Sequence, residues 1–292
     1  YANLTQHMKG DLTMRTESLH VLVGENRYRL DRSWARLPAG RDWGFVSHIG
    51  ADSHNNVYVL QRTPPAVIVF DPDGAFAAAW GEERLLDPHS LHVSPDDRVF
   101  VVDRDSHEIV IFDTGGRELS TLGTRHRPRM NEPFNHPTSV ATDSDGDIYV
   151  ADGYGNARIH RFSNTGELKL SWGAEGSEAG AFGVPHAVWV DPEGRVLVAD
   201  RENNRIQVFT AAGEFLSQWT DFHHPMDGFC DARGRSYISD QSPRLDVRDR
   251  DGGLIGRCKA ALVGGHGICG DGLGNIYVAE LPPGNVTRLS PA

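Results

Sequence analysis

The sequence predicts an all-β chain, a six-bladed β-propeller whose ring is closed by an N-terminal strand completing the last blade. Three observations predict it. Six blocks repeat a turn of Asp, Gly, Asn or Pro followed by a β-branched and aromatic run, usually ending in an acid. The blocks recur roughly every 40–50 residues, the spacing of propeller blades. The last repeat stops without an outer strand, while a strand-like segment near the N-terminus has no blade of its own.

The first two blocks run through Val57-Tyr58-Val59-Leu60-Gln61 and Val99-Phe100-Val101-Val102-Asp103. The third and fourth are Ile148-Tyr149-Val150-Ala151-Asp152 and Val196-Leu197-Val198-Ala199-Asp200. The last two are Ser236-Tyr237-Ile238-Ser239-Asp240 and Ile276-Tyr277-Val278-Ala279-Glu280. Each follows turn residues, as a hairpin does. A further strand comes next, as in Val67-Ile68-Val69-Phe70 and Ile109-Val110-Ile111-Phe112. A Gly-containing turn then leads to an outer strand that often ends in Trp, at Trp80, Trp172 and Trp219. These tryptophans read as packing between blades. The final repeat ends at Val286-Thr287-Arg288-Leu289, so residues 28–37 are expected to pair with 286–290. Closing the ring this way leaves only short, protected sheet edges.

Residues 1–19 read as a polar extension and 20–292 as one propeller domain. No helical periodicity is sustained and no apolar run is long enough to cross a bilayer, so no membrane partner is expected. The net charge of −11 argues against a nucleic-acid partner, which needs a basic stripe. Three cysteines, Cys230, Cys258 and Cys269, make no disulfide framework and have no zinc-knuckle spacing. With no visible signal segment, they favour the cytoplasm. Oligomeric state stays open, a monomer included.

The sharpest signal is a histidine in one repeat slot of alternate repeats: His89, His186 and His266. The intervening repeats place Ser47, Thr138 and Met226 there. In a closed ring these histidines fall about a third of a turn apart, the geometry of a three-His metal site on the axis. Taken singly, His48, His54, His92, His107, His160, His223 and His224 read as structural or surface groups. His136, just before Pro137-Thr138, is a candidate to support the ligands from behind. The strand-ending carboxylates recur too evenly for catalysis and are expected to bond loop backbones.

Several motifs carry a family resemblance. They are Pro88-His89-Ser90-Leu91, Ala151-Asp152-Gly153-Tyr154-Gly155-Asn156-Ala157-Arg158-Ile159, Val184-Pro185-His186 and Ala199-Asp200-Arg201-Glu202-Asn203-Asn204-Arg205-Ile206-Gln207. With the repeat, they resemble the NHL class of six-bladed propellers and, within it, the peptidyl-α-hydroxyglycine α-amidating lyase family, from about residue 45 onward. The resemblance implies a catalytic zinc on His89, His186 and His266, a catalytic tyrosine at Tyr154, and substrate-binding arginines at Arg201 and Arg62. The chain also departs from the family. Gly267 stands where an aspartate helps hold a structural calcium, with Leu91 as the matching carbonyl, so a calcium site of that design is not expected. Gly264 and Gly265 replace a methionine and proline, and Gly155 replaces a disulfide cysteine. The metal core is kept and the rim altered, which implies a changed substrate.

Neutral imidazole suits zinc, and three histidines leave at least one position open for water or a substrate oxygen. Arg62 and Arg201 share one slot on opposite blades and are placed to clamp a carboxylate. Arg104 follows a strand-ending acid in the same way, as a rim charge or a substrate contact. Three function classes follow. One, which the resemblance implies, is a metal-dependent lyase cleaving a C–N bond at a carbinolamide-like carbon of a small, anionic substrate, with Tyr154 as base. The second is a lactonase- or esterase-like hydrolase using metal-bound hydroxide. The third is a non-catalytic propeller that binds a protein or peptide.

Overall fold

The computed structural model describes residues 19–258, 264–281 and 284–292. Its strands form six antiparallel sheets arranged as the blades of one propeller. Blade 1 comprises Val46–Ala51, Val57–Gln61, Val67–Phe70 and Phe76–Trp80. Blade 2 comprises Pro88–Val93, Val99–Asp103, Glu108–Phe112 and Glu118–Gly123. Blade 3 is built from Ser139–Thr142, Ile148–Asp152, Arg158–Phe162 and Leu168–Trp172. Blade 4 holds Pro185–Val190, Val196–Asp200, Arg205–Phe209 and Phe215–Trp219. Blade 5 holds Pro225–Cys230, Ser236–Asp240, Arg244–Arg248 and Leu254–Cys258. All six repeating blocks are thus the second strand of a blade. No α-helix occurs among the described residues, only a 3-10 turn at Arg201–Asn203, and no helix is long and apolar enough to cross a membrane.

Blade 6 combines both chain ends. Its inner strands, Gly265–Gly270, Ile276–Glu280 and Asn285–Pro291, are followed by Asn26–Asp31 and then His20–Val23. The closure is narrower than the sequence suggests: Tyr28, Leu30 and Asp31 pair with Pro291, Leu289 and Arg288. Residues 32–37 leave the sheet because Trp34 turns inward, packing on Phe70 and Tyr277 and donating Nε1–H to the Pro72 carbonyl. A fifth strand, absent from the sequence reading, adds His20–Val23 outside Asn26–Asp31. The polar extension at 1–19 lies outside the described residues except for Leu19, whose carbonyl accepts the Leu30 N–H.

The core lies between blades. Tyr58, Leu60 and Val67 of blade 1 cluster with Leu91, Val101 and Phe112 of blade 2, and the pattern repeats around the ring. A second strand is therefore buried on both faces, as at Val99–Asp103 and Val196–Asp200. This explains why the repeats read as continuous apolar runs rather than alternating ones. Outer-strand tryptophans seat beneath a glycine turn of the next blade. At Gly252, with φ +89°, a Cβ would meet Trp219 Cδ1 at 2.3 Å, so only glycine fits both the conformation and the space. The turns before the second strands are held by their own carboxylates. Asp143 Oδ1 accepts the N–H groups of Asp145 and Asp147, and Asp191 does the same for Glu193 and Arg195.

Candidate metal centre

Five of the six inner strands begin with a β-bulge whose bulged residue is the repeat slot, while Thr138 lies just ahead of the regular inner strand of blade 3. Pairing skips His89 between Pro88 and Ser90, His186 between Pro185 and Ala187, and His266 between Gly265 and Gly267. A bulge re-aims the side chain it carries. Here the three rings turn onto the axis, with centroids 5.1–5.3 Å apart, and their ligand atoms all lie within 4.8 Å of one another. All three are buried.

Their tautomers follow from what stands behind them. His89 Nδ1 lies 2.7 Å from the Thr138 carbonyl, and His186 Nδ1 lies 2.7 Å from the Met226 carbonyl. A carbonyl only accepts, so each Nδ1 carries the proton and each Nε2 presents a lone pair. The acceptors come from the slot residues of the next blades, so the intervening repeats supply the groups that orient the histidines. The Ser47 carbonyl stands in the matching place beside His266 and favours its charged form, yet outside hydrogen-bonding geometry: His266 Nδ1 has no such partner among the described residues. Burial is the main cause holding all three imidazoles neutral, with neighbouring histidines next at His89 and His266 and Arg201 next at His186, which is pushed down to about 3. Neutral imidazole is the ligand form. His186 Nε2 is buried and without a partner among the described residues, the state expected of a donor atom reserved for an ion. The residues present therefore fit a divalent metal.

Tyr154 stands over this cluster. Its hydroxyl lies 3.1 Å from His89 Nε2 and accepts from Arg201 Nη1 at 3.3 Å. The Arg104 and Arg201 guanidiniums lie 5.7 and 5.4 Å from its ring centroid, and the ring is 37% exposed at the channel mouth. Gly153 and Gly155 let the loop sit this close: a Cβ on Gly153 would meet the Pro185 carbonyl oxygen at 2.2 Å. Arg62 lies on the other side, stacked on Phe45 at 5.1 Å, with Nη1 3.8 Å from Asp87. It makes no described contact with Tyr154, but its charge bears on His89 and His266.

Two mouth residues carry more than the sequence reading assigned them. Arg104 pairs with both Asp87 and Asp105. Asp87 faces Arg62 and Arg104 together, and burial raises its carboxyl above the ordinary range despite both guanidiniums. Arg104 was traceable because it shares the slot of Arg62 and Arg201; Asp87 had no such signal. His136 does not support the ligands. It packs on His107, with ring centroids 4.4 Å apart, and its carbonyl takes the Tyr154 N–H. Among the strand-ending acids, Asp103 accepts the Leu86 and Asp87 N–H groups, and Asp200 accepts that of Gly183. At Gly267 a Cβ would meet His48 Cα at 2.7 Å, so the place that an aspartate side chain would need is taken by His48.

Comparison with known proteins agrees with this architecture. The family model described as NHL repeat matches residues 134–162 and 182–209. Peptidyl-alpha-hydroxyglycine alpha-amidating lyase 1 of Drosophila melanogaster is 34% identical over 193 residues, covering 61% of this chain and 36% of that protein. NHL repeat-containing protein 3 of Mus musculus is 34% identical over 232 residues, covering 72% of this chain and 65% of that protein. The chain thus spans less than two thirds of either relative. A streptogramin B lyase structure superimposes with a TM-score of 0.67 at 12% identity, over 93% of this chain and all of that one, which speaks to fold alone. The chain carries NHL repeats in a six-bladed propeller and is similar to the amidating lyases.

Proposed function

We propose that the chain is a metal-dependent lyase-like enzyme that cleaves a C–N bond at a carbinolamide-like carbon of a small anionic substrate. One observation carries the reading: His89, His186 and His266 converge with Tyr154 Oη only 3.1 Å from a ligand nitrogen and Arg201 beside it. The similarity to proteins named as amidating lyases supports it. Held by the three histidines, a divalent ion, zinc by the donor set, supplies Lewis-acid polarisation of a substrate oxygen. Arg201 and Arg62 flank the channel and bind the anionic end, which places the hydroxyl toward Tyr154. Tyr154, reacting as its phenolate, takes the hydroxyl proton, that O–H pair becomes the new C=O, and the C–N pair departs with the amide nitrogen, which takes the proton from the Tyr154 phenol and so regenerates the phenolate. The products are an amide and an aldehyde or keto acid. Asp87 tempers the mouth by occupying Arg62 and Arg104 when no substrate is bound.

The test has two parts. The purified protein is analysed for metal, with single alanine variants of the three histidines. Wild type should hold one equivalent and each variant should lose most of it while remaining folded. The protein is then incubated with N-acyl-α-hydroxyglycines and with a panel of lactones. Release of the amide and glyoxylate supports the lyase. Lactone opening alone replaces it with the hydrolase, and absence of both metal and turnover replaces it with a binding propeller.

A further inference from the structure

The slot residues link neighbouring blades in a ring of hydrogen bonds around the axis. From blade 1 to 2, Ser47 Oγ donates to the Pro88 carbonyl, just ahead of His89, at 3.4 Å. From 2 to 3, His89 Nδ1 reaches the Thr138 carbonyl; from 3 to 4, Thr138 Oγ1 donates to the Pro185 carbonyl at 2.8 Å, just ahead of His186. From 4 to 5, His186 Nδ1 reaches the Met226 carbonyl. The ring then fails. Met226 has no hydroxyl to pass on to blade 6, and His266 Nδ1 makes no bond to blade 1 among the described residues. The third histidine is therefore held less firmly than the first two: the Ser47 carbonyl stands beside it outside good hydrogen-bonding geometry, and near it the direct link from blade 5 is a long Ser239 Oγ bond to the His266 carbonyl, 3.4 Å.

One carboxylate spans that gap one residue further along the strands. Asp227, next to Met226, is buried, and its Oδ2 accepts the N–H of Ile268, two residues after His266, at 2.9 Å. The same oxygen lies 2.9 Å from His48 Nε2, and His48 follows Ser47 on blade 1. Asp227 thus ties together the strands of blades 5, 6 and 1, and the missing side chain at Gly267 leaves the space in which His48 reaches it. In blade 3 the equivalent residue, Ser139, accepts only the Val188 N–H among the described residues, at 3.3 Å.

We propose that Asp227, with His48, is the positioning residue of the metal centre: it holds His266 and the Met226 carbonyl where the hydrogen-bond ring is weakest. The proposal rests on the three-histidine metal reading. Groups behind metal ligands typically contribute about 10–100-fold in affinity, and that is the loss expected here. The experiment is a Co2+ titration of the apoprotein, read by d–d absorption and by competition with a chelator. Wild type is measured first; if it binds no Co2+, the metal reading itself fails. Given wild-type binding, Asp227→Ala should bind about 10–100-fold more weakly with an altered visible spectrum. Asp227→Asn, which can still accept the Ile268 N–H, should recover part of both. Val188, on the blade whose ring is intact, serves as control through Ser139→Ala, which should leave affinity and spectrum near wild type. Unchanged affinity and spectrum in a folded Asp227→Ala protein would overturn the proposal. If that variant does not fold, unchanged binding in both Asp227→Asn and His48→Gln overturns it instead.

Discussion

Replacing Tyr154 by Phe separates two roles proposed for one residue at the channel mouth. The phenyl ring keeps the face on which Arg104 and Arg201 stack, so the rim should hold its shape. Only the hydroxyl is lost, and with it the contacts to His89 Nε2 at 3.1 Å and Arg201 Nη1 at 3.3 Å. As structural bonds at a partly exposed site these contribute about 0.5–1.5 kcal/mol each, so losing both through looser positioning alone costs about 5- to 160-fold in rate. A general base contributes about 10²–10⁴-fold, or ~2.7–5.5 kcal/mol. The two accounts are therefore separable by magnitude only where the fall exceeds about 160-fold. The assay is steady-state turnover of an N-acyl-α-hydroxyglycine by wild type and Tyr154→Phe, with metal content measured on the same preparations. The expected result is a fall of about a thousandfold in kcat at unchanged metal content. A fall smaller than tenfold refutes the base role, and a parallel loss of metal would show that the hydroxyl serves the ion rather than the proton.

Other perturbations test the frame around the site. Removing residues 1–37 strips Val21, Val23, Tyr28 and Leu30 from their cluster with Leu245 and Val247, costing about 6–12 kcal/mol, comparable to a domain's whole stability. That truncation should yield no cooperative thermal transition, whereas removing residues 1–18 should leave the melting curve in place; a well-folded 38–292 fragment would contradict the closure. Gly252→Ala meets both a positive φ and the Trp219 ring, for a cost of about 2–5 kcal/mol, and should lower Tm by roughly 5–15 °C in calorimetry. Asp87→Asn leaves Arg62 and Arg104 without their shared carboxylate, so small carboxylate inhibitors should bind about fivefold tighter, ~1 kcal/mol. An unchanged inhibition constant would show that Asp87 does not compete for these arginines.

The fold was legible because its signals are local and repeated. Each blade's second strand is packed on both faces, so in five of the six blades it reads as a continuous apolar run, broken by Ser236 and Ser239 only in blade 5, and each turn needs an Asp or Gly at a fixed place. The alternate histidines were legible for the same reason: a ring converts equal sequence spacing into equal angles about an axis. Chain ends were harder, since Trp34 leaves its strand for a pocket formed by Phe70 and Tyr277, residues far away in sequence. The hairpin strand His20–Val23 was missed because it is short and its first partner lies only a few residues on.

The sequence by itself determined the number of blades and the repeat slot in which three histidines recur, while the family resemblance pointed to the tyrosine and arginines. Only the tertiary structure decided how those groups act together. The bulge that turns each histidine inward is a property of strand pairing, which no residue type announces. The carbonyls of Thr138 and Met226 that set two of the tautomers come from neighbouring blades, and a backbone oxygen leaves no mark in sequence. His48 and Asp227 lie 179 positions apart and read singly as ordinary core residues. They meet because the ring brings blades 5 and 1 within reach across a glycine, where a single carboxylate can hold three strands.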